Sequence, residues 1–396
     1  MEQRVPEVMI DLSSFEVPTV VKHAAGAITC LADEVKSLGC RRPMLLTDRG
    51  LVAAGVAEAA TRSLDANHLD YILFDRVVAN PPVELVDEVA EIYRAEGCDG
   101  LIGLGGGSSM DTAKAVGVVV TSGDSIIDYE WADPQPIQRP IPPLICVPTT
   151  AGTGSEVTLW AVITDPKRRI KFNVGGTRLI APRLALLDPR LTLELPPRLT
   201  AATGIDALTH AIECYTSAYA QPWPDAVALW AIEAIGQWLR IAYEQGDNEE
   251  ARYQMMMAAM LAGMSYGTES AGAVHAMSQT AGGVYGLPHG ELTAALLPPV
   301  MAYNCTGEPR KYARIAQALG EDTRDLPVSE AADLAVTAAT RLVQDLAIPP
   351  LDDMGIPPAD IPMLAQLAFD DPQTAGNPRH LDVAAYEGIY RTCFGD

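Results

Sequence analysis

The chain has 396 residues, 48% hydrophobic and 20% charged, which is enough apolar material for two domains with their own cores and argues against disorder. Lys and Arg number 28 against 51 Asp and Glu, and the resulting charge of −23 disfavours nucleic acid and anionic membrane surfaces as partners. Seven scattered cysteines without a CxxC pair, an N-terminus without signal-peptide order and the lack of any membrane-length apolar run point to a protein of the reducing cytoplasm.

Five short apolar runs, at 43–48, 71–75, 100–105, 143–150 and 184–188, read as strands. Segments between them, such as 82–97 ("PVELVDEVAEIYRAEG"), carry apolar residues at helical spacing. The alternation predicts a parallel sheet covered by helices on both faces. The acidic, proline-rich piece 128–143 reads as a surface loop. After 187–204 the strand signal stops, and an Ala-, Leu- and Met-rich helical pattern runs to the end. A boundary near 195 therefore separates an α/β part, 1–195, from an all-helical part, 196–396.

The strand at 100–105 leads into "GGGSSMDTAKA", with Gly105, Gly106 and Gly107 ahead of a helix opened by Asp111 and carrying Lys114. Such glycines let backbone approach a pyrophosphate, and the N–H groups of the helix start attract its charge. A tight turn capped by Ser108 or Ser109 accounts for the same letters. The loop after the next strand, "PTTAGTGSEVT" (148–158), adds Thr149, Thr150, Thr153 and Thr158 at a second carboxyl end, where open α/β sheets bind ligands. Asp48 ends the first of the five strands. Its carboxylate suits an adenosine ribose and repels a 2′-phosphate, so NAD is expected ahead of NADP, although a turn-starting Asp looks the same. The acid precedes the glycines in the chain, which makes the sheet a variant of the Rossmann-like dinucleotide-binding fold.

In "TGIDALTHAIECY" (203–215), Asp206 and His210 stand at i, i+4 on a predicted helix, with Cβ atoms roughly 5–6 Å apart on one face. A capping box from Thr203 to Asp206, with a solvated His210, is the plainer account. His275 and His289 would lie about 21 Å apart along one unbroken helix. Gly282, Gly283, Gly286 and Pro288 speak for a break, and Pro288 for the start of a new helix. A helix, a turn and a second helix can then join both rings to Asp206 and His210. Three imidazoles and a carboxylate suit Fe²⁺ or Zn²⁺ and leave a place for water or a substrate oxygen.

The stretches "GGGSSMDTAKA", "PTTAGTGSEVT", "LDPRLTLELPPRLTAATGIDALTHAIECY" and "AVHAMSQTAGGVYGLPHGELTAALLPPVMAYN" together resemble the iron-containing (group III) alcohol dehydrogenases, over nearly the whole chain. The resemblance implies an α/β dinucleotide-binding domain and an all-helical metal-binding domain, an architecture shared with dehydroquinate synthase. It gives the metal role to Asp206, His210, His275 and His289. Cofactor contacts are expected at Asp48, Asn80, Gly105, Gly106, Gly107, Ser108, Asp111, Thr149, Thr150, Thr153, Thr158 and Lys171.

The implied activity is hydride transfer between a small primary alcohol or its aldehyde and NAD(H), in a cytoplasmic homodimer or higher homo-oligomer. A hydroxyacid–oxoacid transhydrogenase with retained nicotinamide and a dehydroquinate synthase-like lyase are the alternatives. Departures from the family cluster on the expected substrate side. Gln279 replaces a histidine found in many members and cannot titrate near neutral pH. "YGTE" (266–269) stands where members often show "FSNA", which brings Tyr266 and Glu269 to the expected pocket, with Trp160 on another wall.

Overall fold

A computed structural model describes residues 14–123, 125–131, 136–266 and 271–394. Its strands are β1 (Val20–His23), β2 (Pro43–Leu46), β3 (Ile72–Phe74), β4 (Gly100–Gly105), β5 (Leu144–Pro148), β6 (Trp160–Asp165), β7 (Ile170–Gly175) and β8 (Leu184–Leu187). Six form one parallel sheet in the order β1, β8, β5, β4, β2, β3, while β6 and β7 make a separate antiparallel hairpin. All five expected strands are present. The additional β1, "VVKH", is a mostly exposed edge strand, so it carries no apolar run to announce it. The hairpin has the alternation of a ribbon with one face covered, but it lies outside the strand-helix rhythm.

Helices α1 (Leu31–Ser37), α2 (Arg49–Ala53), α3 (Val56–Ala66), α4 (Val83–Ala95) and α5 (Gly107–Ser122) accompany the sheet. Successive strand residues point to opposite faces. Met44 and Leu46 thus join Val86, Val89 and Val116 of α4 and α5, while Leu45 joins Leu31 and Leu64 of α1 and α3. With both faces covered, β2, β4, β5 and β8 are buried at every position.

The second half is helical: α6 (Pro197–Thr216), α7 (Pro222–Glu244), α8 (Glu249–Ser265), α9 (Ala273–Tyr285), α10 (His289–Asn304), α11 (Pro309–Ala318), α12 (Val328–Asp345), α13 (Ile361–Asp370) and α14 (Val383–Cys393). They share one apolar core. Among the described residues no helix is long and apolar enough to cross a membrane. All seven cysteines are free thiols.

β3 pairs with one side of β2 and β4 with the other, so the winding reverses between β2 and β4. At such a point the strand ends open a crevice. This is why Asp48, after β2, neighbours the glycines after β4 despite preceding them in the chain. The 128–143 segment differs from expectation. Tyr129 and Ile141 are buried, and Trp131 packs edge-on against Trp160 at 5.4 Å and 87°, while 132–135 lie outside the described residues.

One polar knot holds the crevice to the sheet. Lys114, fully buried on α5, donates to Ser155 Oγ at 2.9 Å, to Thr158 O and Oγ1 at 3.1 Å and to Trp160 O at 2.7 Å. Ser155 Oγ donates to Asp111 Oδ1 at 2.6 Å, and the Val162 N–H donates to Oδ2 at 3.0 Å. Asp111 thus lies within α5, which begins at Gly107, and spends both oxygens on the protein. Burial pushes the Asp111 carboxyl up and the Lys114 amine down, and each charge opposes the shift of the other. Removing one member of such a pair strands the other. Lys114→Met is expected to cost about 3–5 kcal/mol in urea unfolding, and adding Asp111→Asn should recover part of the loss.

Candidate active site

A cavity of about 240 Å³ lies where the β4 and β5 loops and the hairpin meet α6, α9 and α10. Asn80, Gly107, Ser108, Asp111, Thr153, Thr158 and Lys171 of the expected cofactor set line it. Asp48, Gly105, Gly106, Thr149 and Thr150 do not, although they sit at the strand ends beside it. Asp48 also plays the plainer part foreseen for it: its Oδ1 accepts from the Leu51 N–H at 3.0 Å and caps α2. The serine-cap reading of the glycine loop does not hold. Gly106 occupies the N-cap of α5 and no side chain caps the helix. A Cβ on Gly107 would come within 2.7 Å of Thr153, so the two loops touch only because that residue is glycine.

The capping-box account of Asp206 fails as well. Helix α6 starts at Pro197, and Thr203 sits inside it with its hydroxyl donating to Leu199 O at 2.8 Å. Asp206 and His210 are therefore mid-helix and buried. His275 lies in the first turn of α9, and His289 is the first residue of α10. Between them Gly286, at φ 70°, ends one helix and Pro288 precedes the next. Gly282 and Gly283 remain within α9, so only part of the expected break is used.

The four side chains converge. His210 Nε2 and His275 Nε2 are 3.0 Å apart, His289 Nε2 is 3.5 Å from Asp206 Oδ1, and His210 Nδ1 is 3.9 Å from Asp206 Oδ2. Donor atoms of Asp206, His210 and His275 all lie within 4.8 Å of one another, a spread that one ion can draw together. His289 stands at the margin, with its ring 5.6 Å from that of His275.

Glu213, one helical turn beyond His210, was not foreseen. Its carboxylate accepts the N–H groups of Gly272 at 3.0 Å and Val274 at 2.7 Å, capping α9, and the Nδ1–H of His275 at 2.5 Å. With the proton held on Nδ1, His275 turns the Nε2 lone pair toward the other donors. Burial pushes His210 down to about 3. Burial and the Lys171 charge push His289 down too. Burial also opposes charge on His275, but Glu213 outweighs it and the net shift is upward. His210 and His289 are therefore neutral at pH 7, as metal ligation requires.

On the opposite wall, buried Gln279 donates from Nε2 to Lys171 O at 3.3 Å, tying α9 to β7. Burial brings the Lys171 amine down to about 8, with Asp206 opposing. Tyr266 and Trp160 also line the cavity, whereas Glu269 lies outside the described residues. Trp160, Asn173, Tyr266 and Gln373 border a second hollow of about 150 Å³, which Trp131 and Tyr219 help to line. Neither of those two was singled out in the sequence: Trp131 falls in the 128–143 piece that reads as a surface loop, and Tyr219 in the stretch that reads only as helical pattern.

Residues 18–189 match a family model described as iron-containing alcohol dehydrogenase, and 200–394 match the C-terminal model of the same family. A choline dehydrogenase of Bacillus subtilis (strain 168) is 52% identical over 389 residues, 98% of this chain and 96% of the relative. The crystal structure of a 1,3-propanediol oxidoreductase has a TM-score of 0.93 at 37% identity, covering 97% of this chain and all (100%) of that one. A sulfoacetaldehyde reductase from Bifidobacterium kashiwanohense, in complex with NAD⁺, has a TM-score of 0.86 at 29% identity and covers 96% and 98%. Matched in both halves and along almost its whole length, the protein belongs to the iron-containing alcohol dehydrogenase family and is an oxidoreductase of alcohols and aldehydes.

Proposed function

We propose that the cavity is the active site of an NAD(H)-dependent alcohol dehydrogenase or aldehyde reductase in which Asp206, His210, His275 and His289 hold a divalent iron. In this reading residues 1–195 carry the cofactor and 196–396 the metal and substrate. The observation that carries it is the meeting, in one cavity, of an uncapped helix start and a cluster of imidazoles around a carboxylate.

The residues present fit the ion. One carboxylate offsets part of a divalent charge, burial keeps His210 and His289 unprotonated, and Glu213 presents the free nitrogen of His275. Zn²⁺ would accept the same donors, and the family's own metal favours iron. Bound together, the ion supplies a Lewis acid for the substrate oxygen and the nicotinamide supplies the hydride donor or acceptor.

The chain's own part is to place and orient. The N–H groups of Gly107 and Ser108, at the start of α5, suit a pyrophosphate, with Thr153 packed against them. Asp48 at the end of β2 suits a ribose diol. Gln279 exchanges no proton near neutral pH, so proton release would use water, ribose hydroxyls or another side chain. The names of relatives span choline, 1,3-propanediol, methanol and lactaldehyde, so the substrate expected on likeness is a small primary alcohol or its aldehyde.

Metal-stripped protein refilled with Fe²⁺ should form free NADH from NAD⁺ and a primary alcohol, or consume NADH with an aldehyde. Net turnover of free nucleotide also separates this activity from a transhydrogenase that retains its nicotinamide and from a lyase without net redox change. If neither direction runs with NAD(H) or NADP(H), the reading is wrong.

Glu213→Gln should weaken Fe²⁺ binding by about 10–100-fold, measured by metal competition, because His275 loses its charged hydrogen-bond partner. Asp48→Ser keeps an α2 cap but removes the charge. It should raise kcat/KM for NADP relative to NAD by roughly tenfold or more, and an unchanged ratio would remove Asp48 from nucleotide selection.

A further inference from the structure

We propose that the hollow formed by Trp131, Trp160, Tyr219 and Tyr266 is a seat for a quaternary ammonium group, so that the substrate class is a short-chain alcohol, or its aldehyde, bearing a fixed positive charge. The proposal rests on the dehydrogenase reading above and names what that same site selects.

The lining is unusual for this chain. Beside the four aromatic rings it consists of Ala271, Ala375, Pro372, Gly376, Asn173 and Gln373, with no Leu, Ile, Val or Met among the described residues. Yet 48% of the sequence is hydrophobic and only 6% aromatic. A pocket for an alkyl chain would draw on the abundant aliphatic side chains. Aromatic faces with amide groups between them are what a methylated ammonium recognises, through attraction to the ring quadrupoles. Trp131 and Trp160 stand at 87° to each other, so two walls of the hollow meet at a corner. The backbone N–H of Trp131 donates to Asn173 O at 2.8 Å, which holds its segment to β7, and the Tyr266 hydroxyl donates to Gln373 Oε1 at 3.0 Å, which ties that ring to the floor.

Charge points the same way. No Lys, Arg or His lines the hollow among the described residues, so a carboxylate, phosphonate or sulfonate would find no cation to pair with. Asp371 stands behind the floor, accepting from the Gln373 N–H at 2.9 Å and from its Nε2 at 3.3 Å. The net charge of −23 attracts cations from solution and repels anions.

Position sets the length of the substrate. The Tyr266 ring lies 5.5 Å from that of His210 and 6.2 Å from that of His275, edge-on to both. An ammonium resting against Tyr266 therefore needs only a short linker, such as two carbons, to bring its hydroxyl to the metal-binding nitrogens. The hollow's 150 Å³ compares with the ~10–15 Å³ that one water requires, which is ample for a trimethylated head.

The test compares choline with 3,3-dimethyl-1-butanol, in which carbon replaces the charged nitrogen, as substrates of the Fe²⁺-loaded enzyme with NAD⁺. Choline should have the higher kcat/KM by at least about tenfold. Trp131→Leu should bring the ratio toward one, mainly through the KM for choline, while Trp131→Phe retains most of it. A ratio near one or below in the wild type, or a ratio unmoved by Trp131→Leu, overturns the proposal while leaving the dehydrogenase reading intact. Calorimetric titration of tetramethylammonium into the metal- and NAD-loaded protein probes the hollow without turnover. Binding that weakens about tenfold in Trp131→Leu supports the proposal, and no binding to the wild type refutes it. Failure to turn over any alcohol would instead strike the dehydrogenase reading.

Discussion

The carboxylate of Glu213 is the contact on which the proposed metal cluster depends. Two backbone N–H groups at the start of α9 and one ring nitrogen of His275 share it, so a single buried anion fixes where α9 begins and which way its first histidine points. A negative group at a helix start is favourable in itself, and here it also sets a tautomer. Because Glu213 belongs to α6, the helix that carries Asp206 and His210 dictates the orientation of a histidine more than sixty residues downstream in the chain. Without that link, His275 would lie on a helix whose first turn lacked its cap and its register toward the other donors.

Much of this was legible in the letters. The central strands announced themselves because burial on both faces forces unbroken apolar runs. The proposed metal donors were legible as chemistry before they were legible as geometry: histidine is scarce in this chain, and two of the six flank a stretch with few other ionisable groups. Other features were hidden for physical reasons. Thr203 and Asp206 have the spacing of a cap, and only the helix start at Pro197 shows that both are interior. Asp111 looked like a helix opener in a nucleotide loop, yet its oxygens are consumed by Ser155 and the Val162 N–H. Glu213 reads as one more helical glutamate until the fold brings the start of α9 to it. The strand β1 is too exposed to leave a pattern.

The aromatic hollow was the least legible feature, since its rings come from four separate places. Trp131 lies in a connection, Trp160 opens β6, Tyr219 follows α6 and Tyr266 follows α8. No spacing rule relates them, and each alone is an ordinary core or surface aromatic. Their common destination follows from the hairpin, which leaves the main sheet and crosses to the helical half, where Gln279 on α9 donates to the backbone of Lys171 on β7.

The hairpin also divides labour. In its register Val162 faces Asn173 and Thr164 faces Lys171, and these four, with Trp160, all border the cavity. One face of a two-stranded ribbon thus forms a wall of the cavity, while all four proposed metal donors sit on helices of the other half. Sequence change in the ribbon away from Lys171 can reshape the cavity wall while the proposed donors keep their helices. A family built this way can diversify in substrate while its redox centre stays constant.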